Sequence, residues 1–133
     1  MPFSLDSYLG IHPDALKLQS KRTEVIADNL ANSDTPGYKA RDIDFKAAMA
    51  SVDSAAAPVK LTTDHPGHID IDPNTSASGN LKYRTPLAPA LDGNTVDAQQ
   101  EQAAFADNTV RYQATLTFLS ARFKGLMTAI TGQ

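Results

Sequence analysis

The segment NLANSDTPGYKARDIDF, residues 29–45, decides how this chain folds. It begins within an apolar helical pattern and then brings Thr35, Pro36, Gly37 and Tyr38 in succession. Proline at the second position of a turn sets φ near about −65°, and glycine at the third supplies the positive φ of a type II turn. The pattern therefore ends the helix near Asp34, and we expect the charged segment that follows to be extended.

The residues before this turn predict an amphipathic helix from about Pro13 to Asn32, and no glycine or proline interrupts it. One face of it repeats at alternating spacings of four and three: Ile11, Ala15, Leu18, Arg22, Val25, Asn29 and Asn32. Asparagine on such a seam can fix the register of helix pairing, because only a matching partner satisfies its amide. Alternatively, Asn29 lies on a solvated edge and Asn32 only ends the helix. Residues 1–34 form the first predicted segment.

The strongest pattern predicts a second, longer helix from about Asn94 to Thr131. Asn94 or Thr95 is a candidate N-cap, and Asp97 followed three residues later by Gln100 resembles a capping box. An apolar row keeps heptad spacing for more than three heptads: Phe105, Thr109, Tyr112, Leu116, Leu119, Phe123, Leu126 and Ile130. A helix of about 35 residues is about 50 Å long, so it buries such a seam only against a comparably long partner. Residues 94–133 form the last predicted segment.

The middle segment, residues 35–93, is rich in proline and small residues and predicts mostly extended or irregular structure. Only VKLTT and LKYR resemble short strands, so we expect at most a small β-hairpin. Pro86 and Pro89 have the spacing of a polyproline ligand, although an extended connector lying along neighbouring helices accounts for them at least as well. Such a long irregular segment in a short chain is usually either mobile or ordered by a partner.

The composition argues against several classes of function. The net charge is −3, with 12 basic and 15 acidic residues spread along the chain, so no basic stripe is available to follow nucleic acid. The absence of cysteine excludes disulfides, thiolate metal sites and cysteine nucleophiles. The sequence has neither the pattern of a cleaved signal peptide nor an apolar run long enough to insert into a membrane.

One polar stretch, TTDHPGHIDID, gathers potential metal ligands: Asp64, His65, His68, Asp70 and Asp72. Imidazole and carboxylate groups suit zinc, but Pro66 and Gly67 form a turn there, and no HExxH helix places two imidazoles on one face. The residues from Asp70 onwards begin like a calcium-binding loop, but the pattern fails at the sixth position, which needs glycine, and at the twelfth, which needs glutamate. A solvated polar loop is the favoured interpretation, so we expect neither a metal, a cofactor nor catalytic residues.

Taken together, NLANSDTPGYKA resembles the ANxxTPGYKA signature shared by rod and hook proteins of the bacterial flagellum. The matching residues are Ala31, Asn32, Thr35, Pro36, Gly37 and Tyr38. A second match, YRTPLAPALDGNTVD, precedes a long helix containing FADNTVRYQATLTFL. Within that family, the short length and the combination of KARDIDF with LDGNTVD resemble the proximal rod subunits.

This resemblance implies a structural protein of the basal body without enzymatic activity or cofactor. It implies a mainly α-helical fold, in which long N- and C-terminal helices pair as an antiparallel coiled coil around an irregular middle segment. Such subunits polymerise helically into the drive shaft that transmits torque across the periplasm. The implied partners are copies of the chain, other rod proteins, the ring-to-rod adaptor and the flagellar type III export apparatus, which exports rod proteins without a cleaved signal peptide.

The resemblance also suggests roles for particular residues. FKAAM, from Phe45 to Met49, loosely matches an export-gate motif of rod proteins, although ordinary packing of Phe45 explains it equally well. The predicted assembly seams are Leu18, Val25, Asn29, Phe105, Tyr112, Leu116, Leu119, Phe123, Leu126 and Ile130. If these rows pair within one chain, further apolar residues, Leu16, Ile26 and Leu30 among them, remain for adjacent subunits. The alternative function is a soluble helical adaptor that binds one partner through its C-terminal helix.

Overall fold

The computed structural model describes residues 5–53, 65 and 81–132. Its elements in chain order are α1 (Leu5–Leu9), α2 (His12–Ala31), β1 (Arg41–Ile43), α3 (Phe45–Asp53), β2 (Leu81–Tyr83) and α4 (Ala98–Thr131). The fold is mainly helical with a small two-stranded antiparallel sheet, which confirms the mainly α-helical class that the sequence predicts. In this part of the chain, no helix combines the length and the apolar character needed to cross a membrane.

The first predicted helix corresponds to α2, and the short helix α1 precedes it. Gly10 lies between them with φ of 60°, a left-handed conformation that favours glycine and ends the short α1. α2 then begins at His12, with proline in its first turn, and Asn32 is its C-cap. The end of α2 thus lies where the turn chemistry predicts it.

The two strands come from different places than the predicted hairpin. β2 lies within LKYR as expected, but its partner is β1, within the segment KARDIDF. Arg41 pairs with Tyr83 and Ile43 with Leu81. The other predicted strand, VKLTT, lies outside the described residues. The sheet therefore joins β2, late in the middle segment, to β1, which follows the turn at the start of the same segment.

Helix α3 follows β1 and was not predicted. The side chain of Asp44 accepts a hydrogen bond from the backbone N–H of Ala47 at 3.0 Å, as an N-cap does. The alanines that follow favour helix. The many prolines farther along the middle segment concealed this short helical signal.

Helix α4 carries recognisable stop and start residues. The Asp97 side chain accepts hydrogen bonds from the N–H groups of Gln99 and Gln100, so Asp97 rather than Asn94 is the N-cap. Gly132 ends the helix with φ of 71°. With 34 residues, α4 is about 51 Å long, whereas the 20 residues of α2 span about 30 Å.

The hydrophobic core lies between α2, β1 and α3. Its buried residues are Leu18, Val25, Ile43 and Ala48, with Phe45, Met49 and Leu81 packed partly against them. Two of the predicted seam residues of α2, Leu18 and Val25, therefore pack in this core together with the sheet and α3. Ile26, which the sequence left for adjacent subunits, is fully buried within the chain.

Helix α4 contacts α2 through a polar row of side chains. The Gln19 amide donates to Thr115 Oγ1 at 3.2 Å, and the buried Asn108 amide donates to the Gln19 carbonyl and to Thr23 Oγ1. Phe105 and its apolar row lie beside this contact. Polar side chains thus take part in the contact between the two helices, and the antiparallel coiled-coil pairing of the apolar rows stays a prediction.

Candidate functional site

Two sequence motifs that are far apart in the chain meet beside the end of α2; we call residues 35–40 and 92–95 the motif junction. Gly37 has φ of 75°, and the N–H of Tyr38 donates to the Thr35 carbonyl at 3.3 Å, as in a type II turn. This turn sends the chain back along α2 towards β1.

The segment after the turn forms a short ladder with residues 92–95. The N–H of Gly37 donates to the Asp92 carbonyl at 2.9 Å, and the N–H of Thr95 donates to the Tyr38 carbonyl at 3.0 Å. The N–H of the buried Ala40 donates to Thr95 Oγ1 at 2.8 Å. Backbone groups in the junction are thus satisfied by a segment more than fifty residues away.

The glycines of the two motifs meet at the junction. Gly93 has φ of 75°, and a Cβ placed there would lie 3.8 Å from the Cα of Gly37. The Lys39 ammonium also donates to the Gly93 carbonyl at 2.6 Å. The glycines of the two motifs therefore lie against each other.

Asn94 links the second motif to the end of α2. Its side-chain amide donates to the carbonyls of Asn32 and Ser33 at 3.0 and 2.7 Å. These carbonyls follow the last turn of α2, where helices leave acceptors without partners. Asn94 is buried, and its own Oδ1 accepts from the N–H of Val96 at 2.8 Å. Asn94, which the sequence predicts to cap α4, instead donates hydrogen bonds to the end of α2.

Asn29 holds the returning segment against α2. Its Nδ2 donates to the Arg41 carbonyl at 2.7 Å, and its Oδ1 accepts from the Arg41 N–H at 3.1 Å. The Tyr38 hydroxyl lies 3.4 Å from the same Oδ1. Asn29 is fully buried, so it does not lie on a solvated edge. Within the chain its amide is satisfied by β1 rather than by an asparagine of a paired helix.

The other residues of the turn motif lie nearer the surface. Asn32 is half-buried; its Nδ2 donates to the Asp28 carbonyl, and its Oδ1 accepts from Thr35. Ala31 and Pro36 are exposed.

Beside the junction lies a group of two arginines and two carboxylates; we call Arg22, Asp42, Arg84 and Glu101 the charge cluster. Arg22 donates twice to Asp42, at 2.9 Å each. Arg84 donates from Nη2 to Asp42 at 2.7 Å and from Nη1 to Glu101 at 2.6 Å. The cluster is formally neutral, as expected for charges removed from water. It joins α2, β1, the residue after β2, and α4.

The environment shifts the pKa values of the two carboxyl groups of the cluster in opposite directions. Burial raises the pKa of Glu101 above its ordinary value, and the Asn29 amide and the Arg84 guanidinium only partly counter this effect. Burial also acts to raise the pKa of Asp42, but hydrogen bonds from Arg22 and Arg84 outweigh it, so the pKa of Asp42 lies below its ordinary value. Asp42 is therefore held as a carboxylate, whereas burial disfavours the ionised form of Glu101.

The loosely matched export motif lies at the core. Phe45 and Met49 are half-buried and pack against the cluster of Leu18, Val25 and Ile43. In the folded subunit both side chains thus have a packing role, and a role in export stays a prediction.

Most of the predicted seam on α4 is exposed. Leu119 and Leu126 are half-buried, whereas the others expose between 38% and 80% of their surface: Phe105, Tyr112, Leu116, Phe123 and Ile130. Exposed apolar patches are typical of interaction surfaces, and a role of these side chains in assembly stays a prediction. We call these five residues the α4 apolar row.

The polar stretch proposed as a metal site lies almost entirely outside the described residues, which include only His65 of its five potential ligands. Among the described residues, no group of three or more potential ligands comes together. The metal hypothesis therefore gains no support from the described part of the chain.

Comparison with known proteins identifies similar sequences over almost the whole chain. A family described as "Flagella basal body rod protein" matches residues 9–39, which include α2 and the turn. The flagellar basal body rod protein FlgB of Escherichia coli (strain K12) is 44% identical over 130 residues, 95% of this chain and 94% of that protein. FlgB of Salmonella typhimurium is 42% identical over 134 residues, with 96% of each chain covered. FlgB of Cereibacter sphaeroides is 46% identical over 125 residues, with 94% of each covered.

Proposed function

The chain belongs to the FlgB family of flagellar basal body rod proteins, and from this premise we propose that it builds the proximal rod by helical polymerisation. It is a structural rod subunit and not an enzyme, since its relatives are named as flagellar basal body rod proteins. The finer assignment, to the most proximal part of the shaft that transmits torque, is supported by similarity over 94% or more of each aligned chain.

In this proposal α2 and α4 form an antiparallel coiled-coil core of the subunit. The order of contacts supports an antiparallel direction: Arg122 of α4 donates to the Tyr8 carbonyl, Thr115 contacts Gln19, and Asn108 contacts Thr23. The excess length of α4 over α2 supports a role for α4 beyond its own subunit.

The observation that carries the polymerisation is the α4 apolar row. It stays exposed because the polar row, including Asn108 and Thr115, occupies the contact with α2. Neighbouring subunits would cover the apolar row, and contacts between different faces that do not close into a ring generate a helical filament. The seam residues buried in the core, Leu18 and Val25, would then support the fold rather than touch a neighbour.

The motif residues shape this subunit in the proposal. Pro36 and Gly37 end α2 and reverse the chain, and Asn29 and Asn94 fasten the returning segments to α2. Their role in assembly is therefore indirect, since they hold α2 and α4 in one arrangement.

The proposed partners are other copies of the chain, other rod proteins, and the ring-to-rod adaptor below. The proposed location is the rod crossing the periplasm, reached through the flagellar type III export apparatus rather than by a cleaved signal peptide. Phe45 and Met49 would serve export only in an unfolded chain, because both pack against the core in the folded one. A soluble adaptor could also use the α4 apolar row, but family membership favours a rod subunit.

Electron microscopy of basal bodies from cells lacking this chain tests the assignment. We expect membrane rings without a rod, and rods restored when the chain is supplied from a plasmid. Normal rods that begin at the membrane ring in its absence would show that another protein forms the proximal segment.

A further inference from the structure

The charge cluster brings together four parts of the chain that no short connection holds. Arg22 lies on α2, Asp42 on β1, Arg84 directly after β2, and Glu101 in the first turn of α4. The side chains of Arg22, Asp42 and Arg84 are 16–23% exposed, and that of Glu101 is 1% exposed. The cluster is thus formed by the docking of these elements on one another.

Arg84 has a different position in the cluster from Arg22. Both donor contacts of Arg22 go to Asp42, whereas Arg84 lies between the two carboxylates and donates one nitrogen to each. Among the described residues, Arg84 is therefore the one cation with an ion pair to Glu101.

Without Arg84, the closed arrangement would bury Glu101 without an ion pair, and among the described residues only the Asn29 amide and the more distant Arg22 guanidinium would offset its charge. Glu101 Oε2 already accepts no hydrogen bond from the described residues, so Arg84 compensates the charge through Oε1 alone. Asp42 on the facing strand would add like-charge repulsion. Removing one partner of a buried ion pair is strongly destabilising, because the other charge stays buried without compensation.

Strand pairing fixes the position of Arg84. The N–H of Arg84 donates to the Ala40 carbonyl at 2.9 Å, which continues the antiparallel ladder by one residue beyond the pair Arg41 and Tyr83. A shift of one residue in this register would send the Arg84 side chain to the other face of the sheet. The guanidinium reaches Glu101 only when β2 is paired with β1 in register.

We propose that Arg84 is an electrostatic interlock: α4 docks stably on α2 only while β2 is paired in register with β1, which places the guanidinium between Asp42 and Glu101. The interlock couples the middle of the chain to the arrangement of its two longest helices. It acts within a single subunit and does not depend on the rod function, so each is tested separately.

Amide hydrogen exchange of the full chain, dilute enough to be monomeric, tests the interlock. In Arg84→Met, which keeps much of the apolar stem, we expect the protection of the first half of α4 at pH 7.5 to fall by at least about a hundredfold. Lys82→Met is the matched control: it removes the same charge from the same strand, but its ion pair with Asp44 is exposed. We expect its exchange to stay close to wild type.

A second variant separates the interlock from general damage to the fold. In Arg84→Met with Glu101→Gln no uncompensated carboxylate is buried at position 101, so we expect most of the lost protection to return at pH 7.5. In Arg84→Met alone, docking at pH 5 can take up a proton on Glu101, which faces Asp42 of β1 and Arg22 and Asn29 of α2. Protection relative to the intrinsic exchange rate should therefore be higher at pH 5 than at pH 7.5.

Three results would overturn the interlock. The first is an Arg84→Met chain whose α4 is as protected as in Lys82→Met. The second is a double variant that is no better protected than Arg84→Met. The third is a wild-type monomer whose α4 is as unprotected as that of the Arg84→Met chain, since wild type has the complete charge cluster.

Discussion

The side chain of Asn29 pairs with the backbone of Arg41 as another strand would, through one donated and one accepted hydrogen bond of 2.7 and 3.1 Å. A helix side chain thus replaces a neighbouring strand at this point of β1. This pairing explains why a fully buried asparagine lies on an apolar helix face.

Substitution of Asn29 by alanine should destabilise the monomer strongly. Both backbone groups of Arg41 would lose their partner, the fully buried Asn29 side chain, which costs about 3 kcal/mol in unfolding free energy. Urea unfolding followed by circular dichroism measures this cost. Asn32→Ala is the control on the same helix; because Asn32 is half-buried, its loss should cost about 1 kcal/mol or less. Equal costs for the two variants would contradict the role assigned to Asn29.

Alanine at two glycine positions should have effects of opposite sign. Gly37 has φ of 75° with no atom near a new Cβ, so Gly37→Ala should cost about 1–2 kcal/mol through backbone conformation alone. Gly125 lies inside α4, where a Cβ would meet Tyr8 at an ordinary 3.6 Å. Gly125→Ala should therefore stabilise the chain by about 0.5–1 kcal/mol. Thermal unfolding distinguishes the two, and a neutral Gly37→Ala would argue against the strained turn.

Loss of Asn94 should loosen the end of α2 although the two lie far apart in sequence. Asn94→Ala leaves the carbonyls of Asn32 and Ser33 without their side-chain donor and should cost about 1–2 kcal/mol. Hydrogen exchange should show the loss in the last turn of α2 as well as around residue 94. An effect confined to the start of α4 would instead support the capping role that the sequence suggested.

The charge on Asp42 should make stability depend on acid pH. The pKa of Asp42 is lower in the folded state than its ordinary value of 3.8. Its carboxylate therefore stabilises the native state at pH values above 3.8, and this contribution is lost as the pH falls through the pKa of the folded state. Asp42→Asn should cost about 2–4 kcal/mol at neutral pH, where it leaves Arg22 and Arg84 without their shared carboxylate. The difference between wild type and variant in urea unfolding should shrink in strong acid. A difference that is constant with pH would refute this assignment.

A charge in the α4 apolar row should block assembly without unfolding the subunit. Phe123 is 44% exposed, so Phe123→Glu should leave helicity nearly unchanged while removing apolar contact with a neighbour. Ala121→Glu adds the same charge to an exposed position about 160° around the helix. Sedimentation of concentrated chain and electron microscopy should show filaments with Ala121→Glu and none with Phe123→Glu. Filaments formed equally by both would exclude this row from the interface.

Local chemistry allowed some elements to be predicted from sequence alone. Pro36 and Gly37 define their turn within four residues, and Asp97 satisfies N–H groups two and three residues later. The long period of apolar residues also identified α4. These signals depend on neighbours in sequence, so they need no knowledge of the rest of the fold.

The features of the fold that the sequence did not predict depend on contacts between residues that are distant in the chain. Asn94 donates to the carbonyl of Asn32, the C-cap of α2, which lies 62 residues before it, and Glu101 is buried beside an arginine that directly follows a strand. Apolar periodicity assigns the buried face of α4 to Phe105 and its row, because it gives no weight to Asn108 or Glu101. Those polar residues are buried since partners from other elements satisfy them, and sequence spacing does not reveal such partners.

The contact between Gly93 and Gly37 has a consequence for engineering hybrids of rod proteins. The two motifs are separate in the sequence, but they contact each other in the folded chain, so we expect that they have to be exchanged together. A chimera that takes residues 35–40 from one relative and residues 92–95 from another recombines surfaces that were shaped against different partners. Hybrids that exchange both stretches together should fold, and those that exchange one should report how far the two have diverged.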